Sequence, residues 1–576
     1  MKHLLEKQDD KNIRSIAYFS MEIGIENSIP TYSGGLGILA GDTIKSYADL
    51  VVPVVAVSII SRNGYFRQNI NKDGEQKEAP VNWHPESFLK RMPETIKVDI
   101  EGREVHVQAW ELMVKGITGF FVPVYFLDTD LSQNREDDRK ITDDLYGGDS
   151  RYRIKQEAVL GIAGIRMLDK LGYTNLKKYH MNEGHSAFLT LELLRQTKKP
   201  SDDVLDMYDV VQVKKKCVFT THTPVPAGHD QFLKEDVESI IGENFLEKDF
   251  MKDYFVEGKL NMTMLAFLNS EYVNGVAMRH REVSRTMFPG FRIDSITNGV
   301  HSATWTSEEF KTLYDKHIPG WRQDPFNLRY VLSISRMEIW EAHLEAKKKL
   351  IDYVNAETKI GMDYNTFTIG FARRSTPYKR LELFFREINT LLDIHENVGN
   401  FQVVLAGKAH PHDSLGKETI KRVHDIMKKL EGKIKVVYLE NYDMEMAKFI
   451  VSGVDLWLNT PRRPMEASGT SGMKAAHNGI PSFSVLDGWW VEGHVENVTG
   501  WSIGPHWKEG EFKEDYASDE EDSKELYFKL REIIIPMFYK DWDKWTEIMR
   551  HAISFNASFF NTHRMAHQYV LNSYFH

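Results

Sequence analysis

The chain has 576 residues, a formal net charge of −10, 42% hydrophobic and 27% charged residues, and one cysteine. That length exceeds what one core fills, so two large domains are expected; the acidic balance argues against a nucleic-acid partner; and a lone Cys217 excludes an internal disulfide and a thiolate metal cluster. No run reaches membrane-spanning length, and the polar start MKHLLEKQDDKN lacks a secretion-signal core, so a cytoplasmic protein with no membrane partner and no metal is expected.

In the first half, apolar strands alternate with helical stretches: 15–22, 51–60, 119–128, 178–182, 216–223 and 294–300. This is the pattern of an α/β fold, a doubly wound parallel sheet with helices on both faces. Residues 96–112 alternate at period two and read as a hairpin insertion. In such folds, function gathers at the loops after the strands. The first loop, TYSGGLGILAGD, places Gly34, Gly35 and Leu36 before a helix, which is an anion cradle or a tight turn. Glu22 precedes it and reads as an active-site acid or a helix cap. In HMNEGHSAF, Glu183 and His185 fit sugar hydrogen bonding or capping. His222 stands in TTHTPVPAGHD, stiffened by Pro224 and Pro226; His229 and Asp230 are weaker candidates. Asn298 and His301 lie in ITNGVHSATW, where Trp305 suits the domain boundary better than sugar stacking.

Residues 307–325 are polar and proline-bearing and read as a linker, followed by a long helix over about 328–358. A second parallel series then runs through 367–374, 401–410, 434–440, 454–460 and 482–486. In FARRSTPYKRLELFF a strand ends at Arg373 and Arg374, and a helix opens near Lys379. Cations at the positive end of a helix are unfavourable without an anion, so Arg374 and Lys379 point to a phosphate. Lys408 in AGKAHP is a further phosphate contact or a turn cation. Tyr442 in LENYD is, by composition, a half-buried packing residue. The last 35 residues, from Trp542, are aromatic and helix-forming.

The stretch from Glu466 to Glu492 organises the rest. EASGTSG supplies hydroxyls and free backbone N–H groups, and Lys474 opens a helix ended by Gly479 and Pro481. Such a turn binds a phosphate, and its lysine can neutralise it or bond to an aldehyde cofactor; a plain helix-entry turn is the bland alternative.

EASGTSGMK resembles the pyridoxal-phosphate signature E-A-S-G-T-x-x-M-K of the α-glucan (glycogen, starch, maltodextrin) phosphorylases, and the likeness extends from Ala17 to the C terminus. It is nearest the short members that lack the N-terminal regulatory extension. The resemblance implies two Rossmann-like domains facing each other across a catalytic cleft, the GT-B glycosyltransferase architecture. The expected bounds are 1–306, a linker 307–327, 328–540, and C-terminal helices 541–576 that cross back. It implies a homodimer and phosphorolysis of an α-1,4-glucan by orthophosphate to α-D-glucose 1-phosphate, with pyridoxal 5′-phosphate on Lys474. Residue by residue, it gives Thr470, Ser471, Gly472, Arg373, Tyr442 and Gly35 to the cofactor. Arg374, Lys379, Gly34 and Leu36 fall to the substrate phosphate. Asn298, Glu466, Ser468, Gly469, His222, Glu183, His185 and Glu22 fall to the glucan.

Some positions depart from the long enzymes. Thr376 replaces a histidine, Arg462 and Arg463 replace small residues near the cofactor, and the gating segment LYGGDSRYRIKQE is short. Control by AMP or phosphorylation is not expected. The rival readings are a sugar-nucleotide-dependent glycogen or starch synthase-like enzyme, which does not need Lys474, and a glucan-binding protein without catalysis.

Overall fold

The computed structural model describes residues 2–197, 207–225, 228–242, 254–505 and 518–575; Pro226 and Ala227 of the His222 loop and the terminal His576 lie outside the described residues. Two large sheets organise the chain. The first runs, in spatial order, Asp294–Ser295, Tyr272–Gly275, Cys217–Thr220, Lys178–Asn182, Ile16–Ser20, Val54–Ile59, Phe121–Asp128, Arg103–Lys115, Lys90–Ile100. Its central strands pair in parallel and are buried throughout, as in IAYFS and VVAVSI, because helices cover both faces. The period-two segment forms the last two strands at one edge, antiparallel, joined at Glu101 and Gly102, which both take positive φ.

The second sheet has six strands, all parallel: Val436–Leu439, Phe401–Ala406, Phe367–Ala372, Leu456–Asn459, Ser482–Val485, Gly500–Ile503. The stretch expected as a linker is structured. Ser307 caps the helix Glu308–His317, and Phe310, Tyr314 and Trp321 are buried in the second sheet's core. Surface charges between these aromatics gave the segment its polar texture. The long helix begins at Arg336, where Ser335 caps it, and not at 328.

Near the C terminus, Trp542–His551 stays on the second core through Trp545 and Met549. The chain crosses back only afterwards: Thr562–Tyr569 packs on the helix Gly35–Asp49 of the first unit. An apolar cluster that includes Ile38, Val300, Trp305, Met473, Trp489 and Phe560 joins the two units. A small hairpin, Arg67–Ile70 with Gln76–Ala79, also bridges them: Gln68 and Gln76 donate to the carbonyls of Gly407 (2.8 Å) and Ala409 (2.9 Å). Among the described residues no helix is long and apolar enough to cross a membrane.

Candidate functional site

Gly469, at φ +86°, turns the chain into the helix Thr470–Ala476. Lys474 therefore lies in the last turn of that helix and does not open it. Its side chain is buried, and Nζ stands 3.6 Å from the centroid of the Trp305 ring. No hydrogen bond or ion pair reaches Nζ among the described residues. Burial lowers the amine to about 8, although Asp42 pulls it upward. Trp305 is held by Asp42, whose Oδ2 accepts from Nε1 at 2.7 Å. The tryptophan is thus at the domain boundary, as expected, and also forms the floor beneath the lysine.

The residues around Lys474 fit an anionic aldehyde cofactor. Arg373 Nε and Nη1, Ser468 Oγ and Thr376 Oγ1 are buried without a hydrogen-bond partner. Tyr442 packs on the cluster that holds Met473 and Trp305, and it senses the charge of Arg373. Ser471 Oγ accepts from Trp457 Nε1 at 3.2 Å. At Gly472 a Cβ would lie 2.8 Å from the Trp489 ring, so packing alone requires glycine there.

Arg374 and Lys379 do not converge as a pair. Lys379 Nζ donates to both oxygens of Glu466 (2.8 and 2.9 Å), and Arg373 Nη2 donates to one of them at 2.5 Å. Burial pushes the Glu466 carboxyl up, but the two cations outweigh it and hold it down to about 2. Glu466, expected on the glucosyl unit, is the anion of this ion cluster. Its backbone N–H is held by Asp487, whose carboxyl burial raises to about 7.

Arg374 turns the other way, across the cleft. A Cβ on Gly34 would meet its Nη2 at 2.6 Å. Gly34 has φ −165°, extended backbone, so glycine is required there for space alone. Arg374 makes no ion pair among the described residues. The N–H of Gly34, expected to face phosphate, donates instead to Glu22 Oε2 (3.1 Å), as does that of Ser33 (2.5 Å), while Tyr146 donates to Oε1 (3.0 Å). Glu22 is therefore the clamp of the glycine turn. The amides of Gly35 and Leu36, in the first turn of the helix Gly35–Asp49, have no backbone acceptor.

In the first unit, Asn298 Oδ1 is buried and unpartnered. Glu183 is a tie between loops: it accepts from Gly184 N (3.1 Å), His222 N (2.7 Å) and Thr223 Oγ1 (3.0 Å). His222 Nε2 lies 2.7 Å from Asn182 Oδ1, and burial lowers its ring to about 3, so it stays neutral. His185 Nδ1 is buried without a partner, and its ring lies 5.4 Å from that of Tyr146.

Three cations expected near the site are engaged elsewhere. Lys408 donates to the Phe66 carbonyl at 2.9 Å and so bridges the units. Arg462 pairs with Asp519, and Arg463 with Asp522 at 2.9 Å. The sequence reading missed Asp42, Tyr146 and Asp487. Asp42 had a usable signal: it stands at i+4 from Ile38, on the same helix face as that interface residue.

The family profile for carbohydrate phosphorylase matches residues 231–500. The chain is 41% identical to the maltodextrin phosphorylase of Thermococcus litoralis over 96% of its own length and 70% of the relative's. It is 35% identical to the glycogen phosphorylase of Mycobacterium tuberculosis (97% and 70%) and 32% identical to that of Aquifex aeolicus (99% and 87%).

Proposed function

The chain belongs to the carbohydrate phosphorylase family, and from that premise we propose that it is an α-1,4-glucan phosphorylase. It cleaves the non-reducing terminal link of a glycogen- or maltodextrin-like glucan with orthophosphate and releases α-D-glucose 1-phosphate with retention. It is thus a glycosyltransferase whose acceptor is phosphate.

The cofactor assigned to Lys474 is pyridoxal 5′-phosphate, which when bound supplies a phosphate able to exchange a proton with the substrate phosphate. Lys474, whose amine lies over Trp305, would hold it together with the first turn Thr470–Gly472, Arg373 and Tyr442. Arg374 and the amides of Gly35 and Leu36 bind orthophosphate. Lys379 has one N–H left after its two bonds to Glu466 and directs it to the same anion. Orthophosphate so held donates a proton to the glycosidic oxygen and then attacks C1 from the face the glucan has left. The polar groups of Asn298, Ser468 and neutral His222 orient the glucosyl unit while positive charge develops at C1. A homodimer in the cytoplasm completes the proposal; the single, buried Cys217 suits a reducing compartment.

The observation that carries this reading is the buried, partnerless Lys474 amine over Trp305. A sugar-nucleotide enzyme has no use for it. The test is glucose 1-phosphate release from maltodextrin with and without orthophosphate. Strictly phosphate-dependent release supports the proposal; release of a nucleotide from a sugar nucleotide instead would refute it.

A further inference from the structure

Three buried residues outside the reacting centre meet where the C-terminal helix recrosses the first unit. Asp49 ends the helix Gly35–Asp49, His301 precedes the turn Ser302–Trp305, and His563 lies in the helix Thr562–Tyr569. Nε2 of His301 lies 2.9 Å, and Nε2 of His563 3.1 Å, from the same oxygen, Asp49 Oδ2. Asp49 Oδ1 is turned away and accepts from Ile117 N at 2.8 Å.

The partners fix where the hydrogens go. His563 Nδ1 lies 3.2 Å from the carbonyl oxygen of Gln323, which only accepts, so Nδ1 carries a hydrogen. In the neutral ring the Nε2 lone pair then faces a carboxylate oxygen. That contact is repulsive unless the ring is protonated or a cation lies between the two atoms. His301 Nδ1 meets Thr304 Oγ1 at 2.7 Å, and Lys45 Nζ reaches the same hydroxyl at 3.4 Å. Either His301 tautomer suits Thr304, so His301 can also present a lone pair at Nε2.

We propose that Asp49, His301 and His563 bind one divalent transition metal of the zinc class. Two imidazole nitrogens and one carboxylate oxygen are the donor set of borderline-soft cations. Donors each about 2.0–2.1 Å from one tetrahedral Zn²⁺ lie about 3.3–3.4 Å apart. The two carboxylate-to-imidazole separations here, 2.9 and 3.1 Å, need the rings to move outward by only a few tenths of an ångström to admit the ion, and all three donor atoms fall within 4.8 Å of one another. The His563 Nδ1–H bond to a backbone carbonyl is the outer-shell contact that fixes a metal-facing tautomer. Three protein ligands leave a position for water.

The metal is a clasp. It joins the helix Gly35–Asp49, the helix Thr562–Tyr569 and the segment that carries Asn298 and Trp305. No metal was expected from the sequence, because the ligands lie 252 and 514 residues from Asp49.

The test uses the full chain, stripped with a chelator, dialysed, and titrated with Zn²⁺ or Co²⁺ alone beside His563→Gln. The wild type should retain about one metal per chain through dialysis, show a visible Co²⁺ ligand-field band, and gain about 3 °C in thermal midpoint. His563→Gln should retain less than a tenth as much metal and gain nothing. Equal retention by both proteins, or no stoichiometric metal on the wild type, overturns the site and leaves a hydrogen-bonded triad. If His563→Gln does not fold, the wild-type cobalt band at one equivalent decides alone.

Discussion

The Lys474 amine stands 3.6 Å from the centroid of the Trp305 ring, and Trp305 is in turn fixed by Asp42. The lysine comes from the second unit and its floor from the first, so the cofactor site proposed above exists only when the two units are docked. Burial lowers the amine to about 8, and only its neutral form is nucleophilic. Uptake of pyridoxal phosphate by the cofactor-free protein should therefore speed up as pH rises from 6 and level off above about 8. Stopped-flow absorbance measures this; a rate still climbing steeply at pH 10 would place the amine at its ordinary value. Lys474→Ala should hold no cofactor after gel filtration and release no glucose 1-phosphate. Full activity in that variant would sink the functional proposal.

Gly34→Ala tests the cleft-spanning contact with Arg374. The new methyl would lie 2.6 Å from Arg374 Nη2, so the guanidinium must move. The backbone at φ −165° accepts alanine, so folding should be unaffected. A displaced charge-assisted phosphate contact is worth about 1.5–3 kcal/mol. The KM for phosphate should rise by roughly 10- to 100-fold on that basis, with the KM for maltodextrin nearly constant. If the two constants rise together, Arg374 does not serve the phosphate in particular.

Asp487 makes a prediction with the opposite sign to most carboxylates. Its folded pKa is raised to about 7, chiefly by burial, so the native state prefers the proton. Its favourable contribution is full below the unfolded value near 3.8 and is lost as pH rises through about 7. Between those limits the wild type should lose stability relative to Asp487→Asn, by on the order of 1 kcal/mol per pH unit. Parallel stability profiles for the two proteins, from urea unfolding at pH 4.5 to 8, would show that Asp487 is not buried as a proton-bearing acid.

Much of this was legible in the chain, because parallel strands buried on both faces are written as nearly unbroken apolar runs such as IAYFS and FTIGFA. The glycine turns and the cations after strands were equally visible. What the sequence hides is pairing. Nothing in FARRSTPYKR says that Lys379 shares Glu466 with Arg373 while Arg374 crosses to Gly34, since those partners lie 87, 93 and 340 positions away. The helix inside the stretch expected as a linker was hidden for a similar reason: with Phe310 and Tyr314 inward, it looks polar because its outward residues outnumber them. Tyr146 carries no motif of its own, and only the folded chain reveals its bond to Glu22, 124 positions away.

Arg462 and Arg463, which sequence alone placed near the cofactor, are neutralised by the helix Asp519–Lys529. Asp522 is fully buried between two guanidinium groups: Arg380 Nη2 at 2.6 Å, and Arg463 Nη1 and Nη2 at 3.1 and 2.9 Å. Removing the shared anion leaves both cations buried without it, a loss of about 3–5 kcal/mol. Asp522→Ala should therefore lower unfolding stability by that order, measured by denaturant midpoint at constant slope. A loss below about 1 kcal/mol would mean that the guanidinium groups find other acceptors. Arg462→Ala removes the half-exposed pair with Asp519, which is worth little, so it should change neither stability by more than about 1 kcal/mol nor the preferred maltodextrin length. A shifted length preference would return Arg462 to the acceptor path.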